Sequence, residues 1–178
     1  MKLFSENIED LRTLYIANLK KALDMEQKIT KALPTMIEKS TDPQLASAFR
    51  NHLTETQSHV AKVESILRDA TNGDADTATC KAISALITEA EDNIKDASDL
   101  SIRDITLIAS AQQVEHHEIA VYGTLRTWAE LLGDDDAADL LDSILDEEKN
   151  ADELLSTISD SVNTTGVVTQ KAYTGTAV

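Results

Sequence analysis

Glutamate recurs in this sequence at positions where a helix would hide it. Ala22-Glu26-Ile29-Leu33 and Val114-Glu118-Val121-Leu125 step by four, three and four residues, and Leu141-Ile144-Glu148-Ala151 by three, four and three. That is the spacing of one helix face, and each Glu sits within an apolar stripe. Glu55 follows Ala48 by seven residues and precedes Val63 by eight. A buried carboxylate carries a large desolvation penalty unless a cation or a donor answers it. Metal ions are the economical answer for four such groups in one layer. The chemistry to expect is a pair of metal ions roughly 3.5–4 Å apart held by bridging carboxylates.

The four share a level as well as a phase. Counted from a turn at Thr41, Glu26 lies 15 residues before and Glu55 14 after; counted from Gly133, Glu118 lies 15 before and Glu148 15 after. At about 1.5 Å per residue, each sits roughly 22 Å from its turn. A second layer lies one helical turn further on. His59 is 18 residues after the first turn, Glu115 is 18 before the second, and Asp152 is 19 after it. Glu55 with His59, Glu115 with Glu118, and Glu148 with Asp152 are then same-face pairs, each letting one helix hold a metal twice. The usual bundle pattern takes one Glu from each of two helices and Glu-x-x-His from each of the others. Here the second helix carries Glu-x-x-x-His and the last Glu-x-x-x-Asp. The expected ligands are therefore Glu26, Glu55, His59, Glu115, Glu118, Glu148 and Asp152, with Glu55 and Glu148 as bridges. Oxygen-rich ligation with a single His suits two iron ions, or manganese, better than structural zinc.

Plainer readings stand beside these. A single Glu on a long helix usually faces solvent, and Glu147, next to Glu148, shows how readily an acid turns up. His52, one turn on the loop side of Glu55, rivals His59. His116 and His117 flank the Glu115–Glu118 pair, where at most one can face inward, supporting a ligand from outside. Tyr122 is an ordinary core Tyr within reach of a ligand. Cys80 reads as a buried small side chain and Glu89 as surface.

The elements that must position these residues are helices. Apolar residues at helical spacing run from about Ser5 to Ser40, with Pro34 as a kink point. Asp42 and Pro43 form a start signal for a second helix, which ends at Asn72-Gly73. A linker, residues 73–79, leads to a short helix around Cys80–Ile94. Ser101 with Asp104 resembles a capping box opening a long helix that Gly133 ends. A last helix starts at Asp134 or Asp135. Residues 1–162 form one domain, and the Thr- and Gly-rich residues 163–178 read as a disordered tail. The connections predict an all-α, ferritin-like four-helix bundle of two antiparallel hairpins, with an additional short helix in the long crossover.

Composition agrees and excludes other classes. Hydrophobic residues make up 42% and aromatics 3%, with five Gly and two Pro, which favours long helices over sheets. A net charge of -16 repels nucleic acid and anionic lipid. No apolar run approaches the roughly 18 residues of a membrane span, and the start shows no signal peptide. With a single cysteine, a cytoplasmic setting is expected.

Four stretches carry a family resemblance: HLTETQSHVAKVE (52–64), CKAISALITEAED (80–92), VEHHEIAVYGTLRTWAELLG (114–133) and LDEEKNADELL (145–155). They resemble the YciF/YciE-like family of ferritin-like proteins over residues 4 to 160, the VEHHEIAVYGTL segment being the most specific. The resemblance implies a ferritin-like fold, a homodimer, a di-iron centre and an association with bacterial stress responses. The Glu115-x-x-Glu118 pair is also similar to rubrerythrins. The sequence departs from these in having Asp152 where they place a second His, and it lacks a CxxC pair. Three functions follow as expectations. They are a ferroxidase- or peroxidase-like reaction of Fe(II) with O2 or peroxide, a non-enzymatic stress protein whose metal is structural, and iron storage in a cage. The crossover helix and the family's dimers argue against the cage.

Overall fold

The computed structural model describes residues 8–174, with side chains described through residue 164. Five helices follow in order: α1 (Leu11–Lys39), α2 (Pro43–Thr71), α3 (Lys81–Asp96), α4 (Leu100–Leu132) and α5 (Asp135–Thr174). There is no strand among the described residues. The boundaries follow local chemistry. Asp42 caps α2, accepting from Gln44 N and Leu45 N, with Pro43 at the first helical position. Asn72 (φ 59°) and Gly73 (φ 110°) end α2, and Gly133 (φ 73°) ends α4, all in the left-handed region that such stops use. Pro34 does not break α1. It lies at an exposed position near the helix end, where water can meet the carbonyl it leaves unbonded.

Helices α1, α2, α4 and α5 form a bundle of two tight hairpins, and α3 lies in the crossover between them. The crossover is tied to α1, since Ala78 N donates to the Lys20 carbonyl and Cys80 N to Asp24 Oδ2. The two hairpin turns lie at opposite ends. Asp104, in the first turns of α4, meets the α1–α2 turn, accepting from Thr41 N at 2.8 Å, Asp42 N at 2.9 Å and the Thr41 hydroxyl. At the other end, Arg12 of α1 donates to the Ala70 carbonyl of α2. There, too, Asp134 in the α4–α5 turn is close enough to help burial raise the Tyr15 phenol.

Two sequence expectations change. The N-cap of α4 is Asp99, which accepts from Ser101 N and Ile102 N; Asp104 is released to hold the α1–α2 turn across the bundle. Helix α5 runs on to Thr174, through residues 163–174 where a disordered tail was expected. Thr and Gly there weaken a helix without stopping it, and no proline intervenes. Residues 175–178 lie outside the described residues, as do residues 1–7, so the expected start near Ser5 cannot be placed. Trp128, near the end of α4, is half-buried and packs against the core. Among the described residues no helix is long and apolar enough to cross a membrane.

Asp104 is 4% exposed and serves three donors. Its loss would leave these part-buried donors unanswered, so Asp104→Ala should lower unfolding stability by about 2 kcal/mol. Urea denaturation of the metal-free protein measures this, and Asp99→Ala, which removes a surface cap only, should cost about 1 kcal/mol.

Candidate metal centre

Halfway along the bundle, apolar layers give way to one polar layer. Leu19, Leu23, Val63, Leu67, Leu125 and Leu141 pack on one side of it, and Leu33, Leu45, Phe49, Leu107 and Ile108 on the other. The layer contains Glu26 from α1, His52, Thr56 and His59 from α2, Glu115 and Glu118 from α4, and Glu148 from α5, none more than 6% exposed. Two sets of ligand atoms lie within 4.8 Å of one another: His52, Glu115, Glu118 and Glu148, and Glu26, His59 and Glu148. Glu148 belongs to both. His52 Nε2 is 3.3 Å from Glu115 Oε1 and 3.9 Å from Glu148 Oε2. On the other side His59 Nδ1 is 2.9 Å from Glu148 Oε1 and 3.8 Å from Glu26 Oε2.

Many of these atoms have no hydrogen-bond partner: both oxygens of Glu118 and of Glu148, both ring nitrogens of His52, His59 Nδ1, Glu26 Oε2 and Glu115 Oε2. Buried polar atoms are normally satisfied. Orphans converging from four helices are what a cation would satisfy, so the residues present fit a pair of metal ions. Groups outside the layer hold the ligands in place. Tyr122, fully buried, donates to Glu26 Oε1. His59 Nε2 lies 2.5 Å from Glu147 Oε2, and Lys62 in turn donates to Glu147 at 3.2 Å. A carboxylate on the far nitrogen of a ligand His sets its tautomer and direction.

Of the seven residues expected as ligands, five (Glu26, His59, Glu115, Glu118 and Glu148) stand in the layer. Glu55 does not: its side chain is 46% exposed, with Oε2 3.6 Å from His52 Nδ1. At about 100° per residue it points roughly 60° off His52, at the margin of the buried stripe. Thr56 fills the level assigned to Glu55, and its hydroxyl donates to the His52 carbonyl. Asp152 is 20% exposed, 3.5 Å from His116 Nε2, and accepts from Gln112; it too is outside both sets. The expected second layer divides because the turns are at opposite ends. Moving away from its own turn takes His59 toward one end of the bundle and Glu115 toward the other. Glu115 therefore meets His52, and His59 meets Glu26. His116 is largely exposed, His117 lies 3.8 Å from the buried Cys80 thiol, and Glu89 is exposed on α3. From the sequence Glu147 is only an acid next to Glu148; its place beside Lys62 and His59 is visible only across the α2–α5 contact.

Residues 10–168 match the family model of a domain of unknown function, DUF892. The chain belongs to that family. It is 36% identical over 146 residues to Protein YciF of Escherichia coli strain K12, covering 82% of this chain and 88% of that one. The crystal structure of the E. coli stress protein YciF superposes with a TM-score of 0.83 at 34% identity, covering 88% of this chain and 98% of that one. YcfI of Rhodopseudomonas palustris, a candidate structural protein, gives 0.83 at 39%, covering 87% and 98%. A Xanthomonas campestris pv. campestris protein gives 0.74 at 23%, covering 91% and 99%, and shares the fold.

In this DUF892 bundle, burial dominates the electrostatics of the layer. Burial pushes Glu26 up to about 7, with His59 opposing. Burial and then the Glu148 charge hold Glu115 and Glu118 well above the usual carboxylate range. Burial would raise Glu148 as well, but the close contact with His59 and the nearness of His52 outweigh it and leave Glu148 low. Burial disfavours charge on His59, yet Glu148 and Glu26 carry it up to about 9. For the chelator-treated protein the signs agree. Raised acids bind protons more tightly when folded, so Glu26 withdraws stability as pH climbs from its ordinary 4.5 through 7. His59 contributes stability below 6.5 that is lost as pH rises through about 9. Glu148 acts oppositely, but only on acidification below its ordinary value. The melting temperature of chelator-treated protein should thus fall between about pH 5 and 9. Metal-loaded protein should show the reverse trend over the lower part of that range, because binding displaces protons. Calorimetry at matched ionic strength compares the two.

Proposed function

We propose that this chain is a ferritin-like di-metal carboxylate protein, with iron as its metal, that reacts Fe(II) with O2 or peroxide in a stress response. One observation carries the reading: two buried sets of His and Glu atoms share Glu148. Charge balance supports it. Four carboxylates, Glu26, Glu115, Glu118 and Glu148, would neutralise two divalent ions, and a neutral cluster is the form an apolar interior tolerates. Mixed oxygen and imidazole donors suit iron or manganese. The E. coli relative, described as a stress protein, supports the physiological setting.

The chain's own residues would divide the work. Glu148 faces both positions. His52, Glu115 and Glu118 complete one and Glu26 and His59 the other, while Tyr122 and Glu147 fix the direction of Glu26 and His59. The apolar layers on either side exclude bulk water. Bound iron would supply the electrons that O2 or peroxide accepts, with Fe(III) as the product.

The test is anaerobic titration of metal-free protein with Fe(II), followed by air. Two Fe(II) per chain and growth of near-ultraviolet Fe(III) absorbance are expected, and Glu148→Gln should lower oxidation at least about a hundredfold, the scale on which ligand-shell changes act. Binding of two ions with no oxidation by O2 or H2O2 would favour a structural metal instead, a reading supported by ligands that come from all four bundle helices. In that case chelation would lower the melting temperature without any redox turnover. The homodimer implied by the family resemblance belongs to the same proposal; sedimentation should give twice the chain mass, and a cage-sized particle would indicate iron storage.

A further inference from the structure

Two cavities approach the layer from outside, and both end on His52 and Glu115. One, about 90 Å³, opens between α1, α3 and α4 and is lined chiefly by Ile29, Leu33, Met36, Phe49, Ile87 and Ile94. The other, about 150 Å³, lies between α2 and α5, where Asn51, His52, Glu55, Glu115, Glu147 and Asn150 supply polar walls. Lys31 on the wall of the first repels a cation, and beyond Thr35, Glu91 and Ser110 its apolar lining replaces little of a hydrated cation's water. The α2–α5 cleft does offer replacements. Glu55, half-exposed, stands 3.6 Å from the inner face of the cleft at His52 Nδ1. His52 is 6% exposed, has no hydrogen-bond partner on either ring nitrogen, and sits 3.3 Å from Glu115 beyond it. The Glu26–His59 position is instead backed by Tyr122 and by the Glu147–Lys62 pair.

Building on the metal-centre reading, we propose that the α2–α5 cleft is the path by which divalent cations reach the centre, with Glu55 as the outer carboxylate that receives them. The ion passes from Glu55 to His52 and Glu115, filling the position these share with Glu118 and Glu148. The Glu26–His59 position is filled through it, across Glu148. Glu55 thereby acts in delivery and not in final ligation, which fits its place outside both sets. The chain's charge of -16 draws cations to the whole surface; the cleft is where that attraction leads inward.

Stopped-flow mixing of metal-free protein with Co(II), followed by its visible absorbance, tests this path. Glu55→Lys should slow association about tenfold at low ionic strength, with the gap closing as salt rises. The neutral Glu55→Gln should slow it about threefold. Glu89→Lys, an equal charge change on α3, should stay within about twofold of wild type. Ala151→Phe, which narrows the cleft, should slow binding, and Ala90→Phe in the apolar pocket should not. All should still reach two Co(II) per chain. Wild-type rates for Glu55→Lys, or equal slowing by Glu89→Lys, with two ions bound, would overturn the path and leave the centre standing. Fewer than two ions bound by the wild type, unaffected by Glu148→Gln, would overturn the centre and the path with it.

Discussion

The structure depends on how the interior tolerates charge at its middle. Glu26, Glu118 and Glu148 have no exposed surface, and Glu115 has almost none. Removing ionised carboxylates from water costs more than ordinary packing returns, so the layer needs protons or cations. Protons answer it partly, which is why burial raises Glu26, Glu115 and Glu118 while Glu148 stays low beside His59. Proton binding nonetheless leaves a set of unpartnered oxygens and nitrogens converging on common points. Two cations would satisfy both the charge and the convergence of these atoms.

That constraint explains features of the fold that packing alone would not. Apolar side chains pack above and below the layer along the bundle, so its dielectric stays low. The supporting contacts come from outside the layer. Glu147 is part-exposed and tied to Lys62, and it orients a His that is wholly buried. Glu55 has a comparable relation to His52 at a longer distance. Each histidine thus has one nitrogen toward the centre and the other toward a part-exposed acid. Asp104 plays a matching structural part at the end of the bundle, where one carboxylate joins the start of α4 to the α1–α2 turn and so sets the register of the two hairpins.

The sequence by itself determined the helices and most of the layer. Caps and stops at Asp42-Pro43, Asn72-Gly73 and Gly133 are local chemistry, and Glu26, Glu118 and Glu148 lie at the centre of apolar stripes whose phase is unmistakable. Residues at the margin of a stripe were a different matter. On α2, Glu55 and Thr56 differ by one residue and about 100° of rotation, and the breadth of the stripe leaves room for either. Only packing against the other helices turns His52, Thr56 and His59 inward and leaves Glu55 at the cleft. The tertiary structure alone also decided which second-layer residues meet. Counting from each turn gives a height within a hairpin, but no local signal states whether two hairpins point the same way. Because the turns lie at opposite ends, His59 joins Glu26 and Glu115 joins His52. Periodicity is a property of one helix, whereas a site shared by four helices depends on their relative direction and rotation, which long-range contacts such as Asp104 with Thr41 establish.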